Sequence, residues 1–378
     1  WFCLETTTVD RVLDLLSTVL RGDAPRASAW DVVDRTALLT IADEQGVLPL
    51  VAERLSTASW TPPALRTALA PRLASAAALD AVQEVDLVRL LAAMAAHSVD
   101  ALLFKGAALA YTHYRQPHLR PRLDTDLLVP PNGREAARRL LHAEGYQLVA
   151  QVEGDLVMYQ ETYVRRPPGR PAHVVDLHWR LANPQPFGQV FTYADLARRA
   201  VPITAIHPAA RAPRAVDALL LACVHRVIHH AASERLIWLF DIHLVAASLS
   251  TADWREVEAR AIERDIAPFC LSGLRLAAAR FRTRVPESVL SRLSTAARAS
   301  GRGEAARLVG PPRRHVSEVV ADLRALPGWS ARCRLMSQHL FPSARYMRGT
   351  YAPSSRLPLP VLYVRRAWHG ARRWLVRP

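Results

Sequence analysis

Between residues 99 and 185 the spacing of apolar residues changes, and this change limits the fold more than any other feature of the chain. Upstream, "DAVQEVDLVRLLAAMAAHS" repeats apolar residues at three- and four-residue intervals, as one face of a helix requires. At residue 101 the pattern breaks into short runs bounded by turn residues. "ALLF" reads as a buried strand feeding a turn at Lys105-Gly106, and "AALAYTHY" as a short helix. "DTDLLVP" is a strand stopped by Pro130-Pro131, and "GREAARRLLHAEG" is an amphipathic helix ending at Gly145. Three more strand-like runs follow, "YQLVAQV", "LVMYQETYV" and "AHVVDLHWRL", with "RRPPGRP" as the last hairpin loop. Helices are expected before this region at 9–20, 31–56 and 64–97, and after it at 213–231, 234–248, 252–264, 267–281 and 286–299. Beyond 300 the chain is Arg- and Pro-rich and less regular. The expected fold class is α+β: a helical region 1–98, an α/β core with a small mixed sheet at 99–185, a helical domain 186–345 and a basic tail 346–378.

The strand "DTDLLVP" holds two acids one residue apart. Residues i and i+2 of a strand share a face, so Asp124 and Asp126 project together and Thr125 points away. Two like charges beside a core repel, and a divalent cation between them removes that cost. Mg²⁺ suits such a pair, because it takes one or two carboxylates together with phosphate oxygens of a substrate. Asp176, alone in the apolar run "HVVDLHWRL", supplies a third acid on a neighbouring strand and makes a two-metal site feasible. The plainer alternative is that Asp124 caps a turn and Asp176 pairs with an Arg. Gly106, between a strand and a helix, allows close backbone approach to a ligand, and the helix start offers free N–H groups to a phosphate. Lys105 adds a point charge there.

Bulk properties narrow the class. The 378 residues suffice for two or three domains, and 50% apolar content argues against disorder. The net charge of +15 admits a nucleic-acid partner, but Lys is scarce while Arg and Ala abound, and a generic basic surface is the simpler reading. Cys3, Cys223, Cys270 and Cys333 form no CxxC pair, which points to a reducing, cytoplasmic compartment. No apolar run reaches the roughly 18–20 residues of a membrane span. The opening "WFCLETTTVDRVLDLL" places acid ahead of its apolar part without a basic stretch, unlike a signal peptide. In "HRVIHH", His225 and His229 lie one helical turn apart, a zinc-compatible spacing with no third ligand in view, and packing against the core is the plainer role. Asp241, on the apolar helix "WLFDIHL", is expected to answer His225 or an Arg, or to wall an acceptor pocket. The end, "VRRAWHGARRWLVRP", has the composition of a nucleic-acid or anionic-membrane contact, with a solvated tail as the plainer reading.

The order strand, Lys-Gly, helix, DxD, hairpin, Asp resembles the polymerase-β-type nucleotidyltransferases. Within them the chain is similar to the bacterial uncharacterised nucleotidyltransferase family, through "LLFKGAALA", "LRPRLDTDLLVP", "VVDLHWRL", "CVHRVIHH", "RLIWLFDIHLV" and "LFPSARYMRGTY", spread over residues 30 to 355. The resemblance implies a polymerase-β-like core, with Asp124 and Asp126 as the paired metal-binding acids and Asp176 as the third. It matches Gly106 to the glycine of the phosphate-binding turn, Lys105 to the lysine before it and Arg120 to the arginine ahead of the acids, so Lys105, Gly106, Ala107 and Arg120 are expected to bind nucleotide. His225 and Asp241 lie in matched pieces and are expected on the acceptor side, though the likeness itself assigns them no role. Ala107 departs from the Gly or Ser usual in the superfamily, so phosphate contacts fall to backbone N–H groups, Lys105 or Arg, and the gap from Gly106 to Asp124 is longer than in minimal members. The implied activity is transfer of a nucleoside monophosphate from an NTP to an acceptor with Mg²⁺ or Mn²⁺. The alternatives are an inactive nucleotide-binding or scaffold module, and a toxin-like enzyme that modifies tRNA.

Overall fold

The computed structural model describes residues 6–31, 33–149, 151–299, 304–309, 315–351 and 357–376. Five helices lead: α1 (Thr6–Arg21), α2 (Ala27–Asp31), α3 (Arg35–Glu44), α4 (Leu48–Thr57) and α5 (Pro63–Ala96). Most of the single helix expected over 31–56 is two, α3 and α4, because Gly46 takes a left-handed φ of 70° between them and Pro49 sits in the first turn of α4. The α/β module follows: β1 (Leu102–Leu103), α6 (Lys105–Thr112), β2 (Thr125–Leu128), α7 (Arg134–Ala143), β3 (Gln147–Leu148), β4 (Gln160–Arg165) and β5 (His173–His178). The strands pair in the order β1-β2-β5-β4-β3. β2 runs parallel to β5 and the other pairs are antiparallel, so the sheet is mixed.

Alternation along the strands divides the sheet into two chemically different faces. Leu127, Tyr163, Val175 and Leu177 are buried in one cluster with Leu87, Leu90 and Leu91 of α5 and Leu140 and Leu141 of α7. Asp126, Thr162, Asp176 and His178 alternate with them and take the opposite face.

Beyond the sheet lie α8 (Tyr193–Ala197), a ribbon of β6 (Val201–Pro202) and β7 (Arg211–Ala212), then α9 (Ala215–Ile228), α10 (Leu236–Ala247), α11 (Thr251–Glu263), α12 (Ala267–Phe281) and α13 (Glu287–Ala299). Leu16 and Leu20 of α1, Ile41 of α3 and Leu55 of α4 are buried in one cluster with Leu220 of α9, Phe240 of α10 and Leu274 of α12. The helices on either side of the sheet therefore share one core. The remaining helices are α14 (Glu304–Val309), α15 (His315–Ala325), α16 (Gly328–Leu340), α17 (Ala344–Tyr351) and α18 (Leu359–Val376). This segment is more regular than its Pro content suggests, because Pro327, Pro342 and Pro358 stand just ahead of α16, α17 and α18. Cys3 lies outside the described residues, and Cys223, Cys270 and Cys333 are free thiols.

Candidate active site

The polar face of the sheet is set by register. Asp126 of β2 lies opposite Asp176 of the parallel β5, and Thr162 and Gln160 of β4 lie opposite Asp176 and His178. Thr162 Oγ1 donates to Asp176 Oδ1 at 2.7 Å, and Gln160 Nε2 donates to Asp176 Oδ2 at 2.6 Å. Asp176 is thus held by two neutral donors that fix its orientation without neutralising it. Asp126 is treated differently: its Oδ1 accepts from Lys105 Nζ at 2.7 Å and lies 2.8 Å from His178 Nε2. Burial works to raise the Asp126 pKa, but the Lys105 charge and the His178 hydrogen bond outweigh it and hold the carboxyl well below its usual range. His178 is fully buried, and burial and Lys105 together depress its pKa, so the ring is neutral and Nε2–H is the donor. Its Nδ1 is buried with no hydrogen-bond partner.

Asp124 sits on a bend immediately before β2. Burial, followed by the charges of Asp126 and Asp176, pushes its pKa up to about 7, against the weaker pull of Lys105 and Arg120. Among the described residues, Asp126, Asp176 and His178 form a group able to hold a metal ion, with one donor atom from each lying within 4.8 Å of the others. Asp124 stands outside that group but close enough to feel both acids. The oxygen donors fit Mg²⁺ or Mn²⁺, and a His nitrogen beside them is better matched to Mn²⁺. His178 is absent from the sequence expectations, although the i, i+2 rule that pairs Asp124 with Asp126 also places it beside Asp176.

The Lys-Gly turn has a second use. Lys105 begins α6 at a left-handed φ of 50°, a strained conformation for a residue with a side chain. A Cβ on Gly106 would lie 3.2 Å from Arg120 Cζ, so the glycine makes room for a guanidinium. Arg120 Nε and Nη2 each donate to Asp241 at 2.8 Å, and Nη1 donates to Pro121 O at 2.7 Å. Tyr114 Oη donates to Asp241 Oδ1 at 2.6 Å. Asp241 of α10 thus answers Arg120 rather than His225, and the pair fastens the sheet module to the helical body. Ala107 is buried in the apolar cluster under α5, so its side chain turns away from the Lys105 end of the turn.

Lys105, Gly106, Arg120, His225, Trp238 and Asp241 line one cavity of about 50 Å³ between α6, α9 and α10. That is room for a few waters. Burial drives the His225 pKa well down, and Lys105 adds to the effect. The His225 ring stacks on His230 at 4.6 Å, and His230 on Trp238 at 3.8 Å. His229 lies 3.1 Å from Tyr159 Oη through Nδ1 and 3.0 Å from Leu181 O through Nε2. With both nitrogens engaged it has no lone pair for zinc, and its spacing from His225 serves packing.

A family model described as uncharacterised nucleotidyltransferase matches residues 31–282, two thirds of the chain. No curated protein matches it.

Proposed function

The chain belongs to the uncharacterised nucleotidyltransferase family, and from that premise we propose that it moves a nucleoside monophosphate from an NTP to an acceptor hydroxyl, phosphate or amine and releases pyrophosphate. The observation that carries this reading is the register of β2 and β5, which sets Asp126 and Asp176 side by side on a buried face with Asp124 at its edge. Asp126 and Asp176 would hold Mg²⁺ or Mn²⁺, with Asp124 or His178 completing the set. A bound divalent cation would neutralise these acids and the triphosphate and polarise the phosphoryl group.

The chain's own groups divide the work. Lys105, now on Asp126, is the cation available to the phosphates once Asp126 is otherwise neutralised, and the N–H groups of the first turn of α6 lack helical partners and can join it. Asp176 keeps its carboxylate oriented by Thr162 and Gln160 and, on this reading, would take the acceptor proton. The acceptor oxygen or nitrogen bonds to the α-phosphorus as the bond to the bridging oxygen breaks, and pyrophosphate leaves with that electron pair. Rate enhancement then comes from positioning and charge neutralisation.

The test is release of pyrophosphate from each NTP, with cell extract as the acceptor source and Mg²⁺ or Mn²⁺ present. Asp126→Asn and Asp176→Asn should each lower turnover at least about a hundredfold, the scale of losing one preorganised electrostatic contact. Turnover in either variant within a few-fold of wild type would overturn the assignment. A nucleotide-binding module without turnover is the second reading, favoured by the Lys105–Asp126 pair that already neutralises one acid. It predicts NTP binding with no pyrophosphate from any NTP.

A further inference from the structure

We propose that the C-terminal helices form a docking surface for an anionic lipid bilayer. The last acidic residue of the chain is Asp322, and the 56 residues after it hold eleven Arg and no Asp or Glu. This segment therefore carries +11 of a net charge of +15. The rest of the chain is close to neutral, so the basic balance is a property of one end and not of the whole surface.

The packing of that end exposes apolar groups beside the charge. α17 and α18 pair through Met347 and Leu362, both fully buried, with Tyr346, Tyr351 and Tyr363 around them. The pairing leaves Val361, Val364 and Trp368 outside, one stripe at helical spacing, with Val364 70% and Trp368 65% exposed. The end of α16 packs on the other side of α18 and adds exposed apolar groups there. Exposed Phe341 meets Tyr363 edge-on at 5.8 Å between centroids, and Arg366 Nη1 donates to His339 O at 2.6 Å, which brings exposed Leu340 alongside.

A basic helix with Trp and aliphatic residues on one side is built to lie in a bilayer interface. The aliphatic members decide between a lipid and a nucleic acid. Val361 and Val364 gain from hydrocarbon but offer bases no ring to stack on. Arg residues meet phosphate in either case. Among the described residues no helix is long and apolar enough to cross a membrane, so the surface lies on the bilayer.

Docking would carry the candidate active site with it. Gln338 of α16 accepts from Leu156 N and Val157 N at 3.0 and 3.3 Å and donates to Asp155 Oδ1 at 2.7 Å. The segment it grips leads into β4, whose Gln160 and Thr162 hold Asp176.

The experiment is co-sedimentation of the full chain with vesicles of phosphatidylcholine alone and of equal parts phosphatidylcholine and phosphatidylglycerol, at near-physiological salt. Binding is expected to the anionic vesicles only. Val364→Asp combined with Trp368→Ala should weaken it at least about tenfold, from lost apolar burial and added negative charge. The melting temperature should hold, because both side chains are exposed. No pelleting with anionic vesicles, or equal pelleting of the variant, overturns the proposal. Steeply salt-dependent RNA binding without vesicle binding would assign the surface to nucleic acid. Self-association lost in the variant, without vesicle binding, would assign it to a second copy of the chain.

Discussion

At Gly106 the absence of a side chain serves an arginine. The sequence presents the glycine as a place for backbone to meet phosphate, whereas the structure fills the space above it with the Arg120 guanidinium. Gly106→Val should therefore push Arg120 off Asp241 and lower thermal stability even without nucleotide. An unchanged melt combined with weaker NTP binding would restore the phosphate-cradle reading. Asp241→Asn is the sharper case, since it leaves a buried guanidinium without its counter-charge. It should cost about 3–5 kcal/mol in a denaturant titration, and a change below 1 kcal/mol, roughly a typical surface substitution, would contradict it. Ala107→Ser would restore the hydroxyl common in the superfamily, but here it would lie in an apolar cluster. A loss of about 1–3 kcal/mol is expected, with NTP affinity unimproved. None of these contacts is legible locally: Arg120 and Asp241 are 121 residues apart, and dozens of arginines could have answered that carboxylate.

The strands are the elements whose periodicity says most, and their pairing is what it leaves open. Period 2 is enough to place Asp126 and Asp176 on strands and to give each a face. It cannot say that β2 and β5 are parallel neighbours, which is what brings the acids together. It also under-reports His178 and His173, whose chemistry depends on burial. His173 opens β5, with Nδ1 2.6 Å from Tyr146 Oη and Nε2 3.1 Å from Thr125 Oγ1, and burial lowers its pKa to about 4. Between about 6.5, its unfolded value, and 4, the unfolded chain binds the proton and the native chain does not. Stability from this group is therefore complete above 6.5 and lost as pH falls toward 4, on the order of 3 kcal/mol in all. Asp124, with a pKa raised to about 7, acts in the opposite sense over much the same range. The difference between wild type and His173→Gln isolates the histidine, because Gln can keep polar contacts to Tyr146 and Thr125 without titrating. The stability gap should narrow as melts move from pH 7.5 to 4.5, and a pH-independent gap would remove His173 from the acid lability.

Across the molecule, a linear reading separates the first helices from the last, while burial joins them. Leu16, Leu20 and Leu55 are almost fully buried against a core shared with α9, α10 and α12. Hydrophobic period reports that a helix has an apolar face but not which helix will cover it. A chain lacking residues 1–58 would expose this core, and it should lose cooperative unfolding and aggregate. A truncated chain that melts with the wild-type midpoint would show that α1–α4 are an appendage.

The same whole-chain view gives the Lys105–Asp126 contact a practical meaning. Lys105 is the only lysine among 378 residues, and its side chain is 17% exposed, on the phosphate-facing side proposed here. An amine-selective acylating reagent thus has a single side-chain target, and that target is in the candidate active site. One modified peptide in a mass spectrum would serve as a gauge of site occupancy, with no need to know the acceptor. Any nucleotide that shields Lys105 would announce itself by slowing that one reaction.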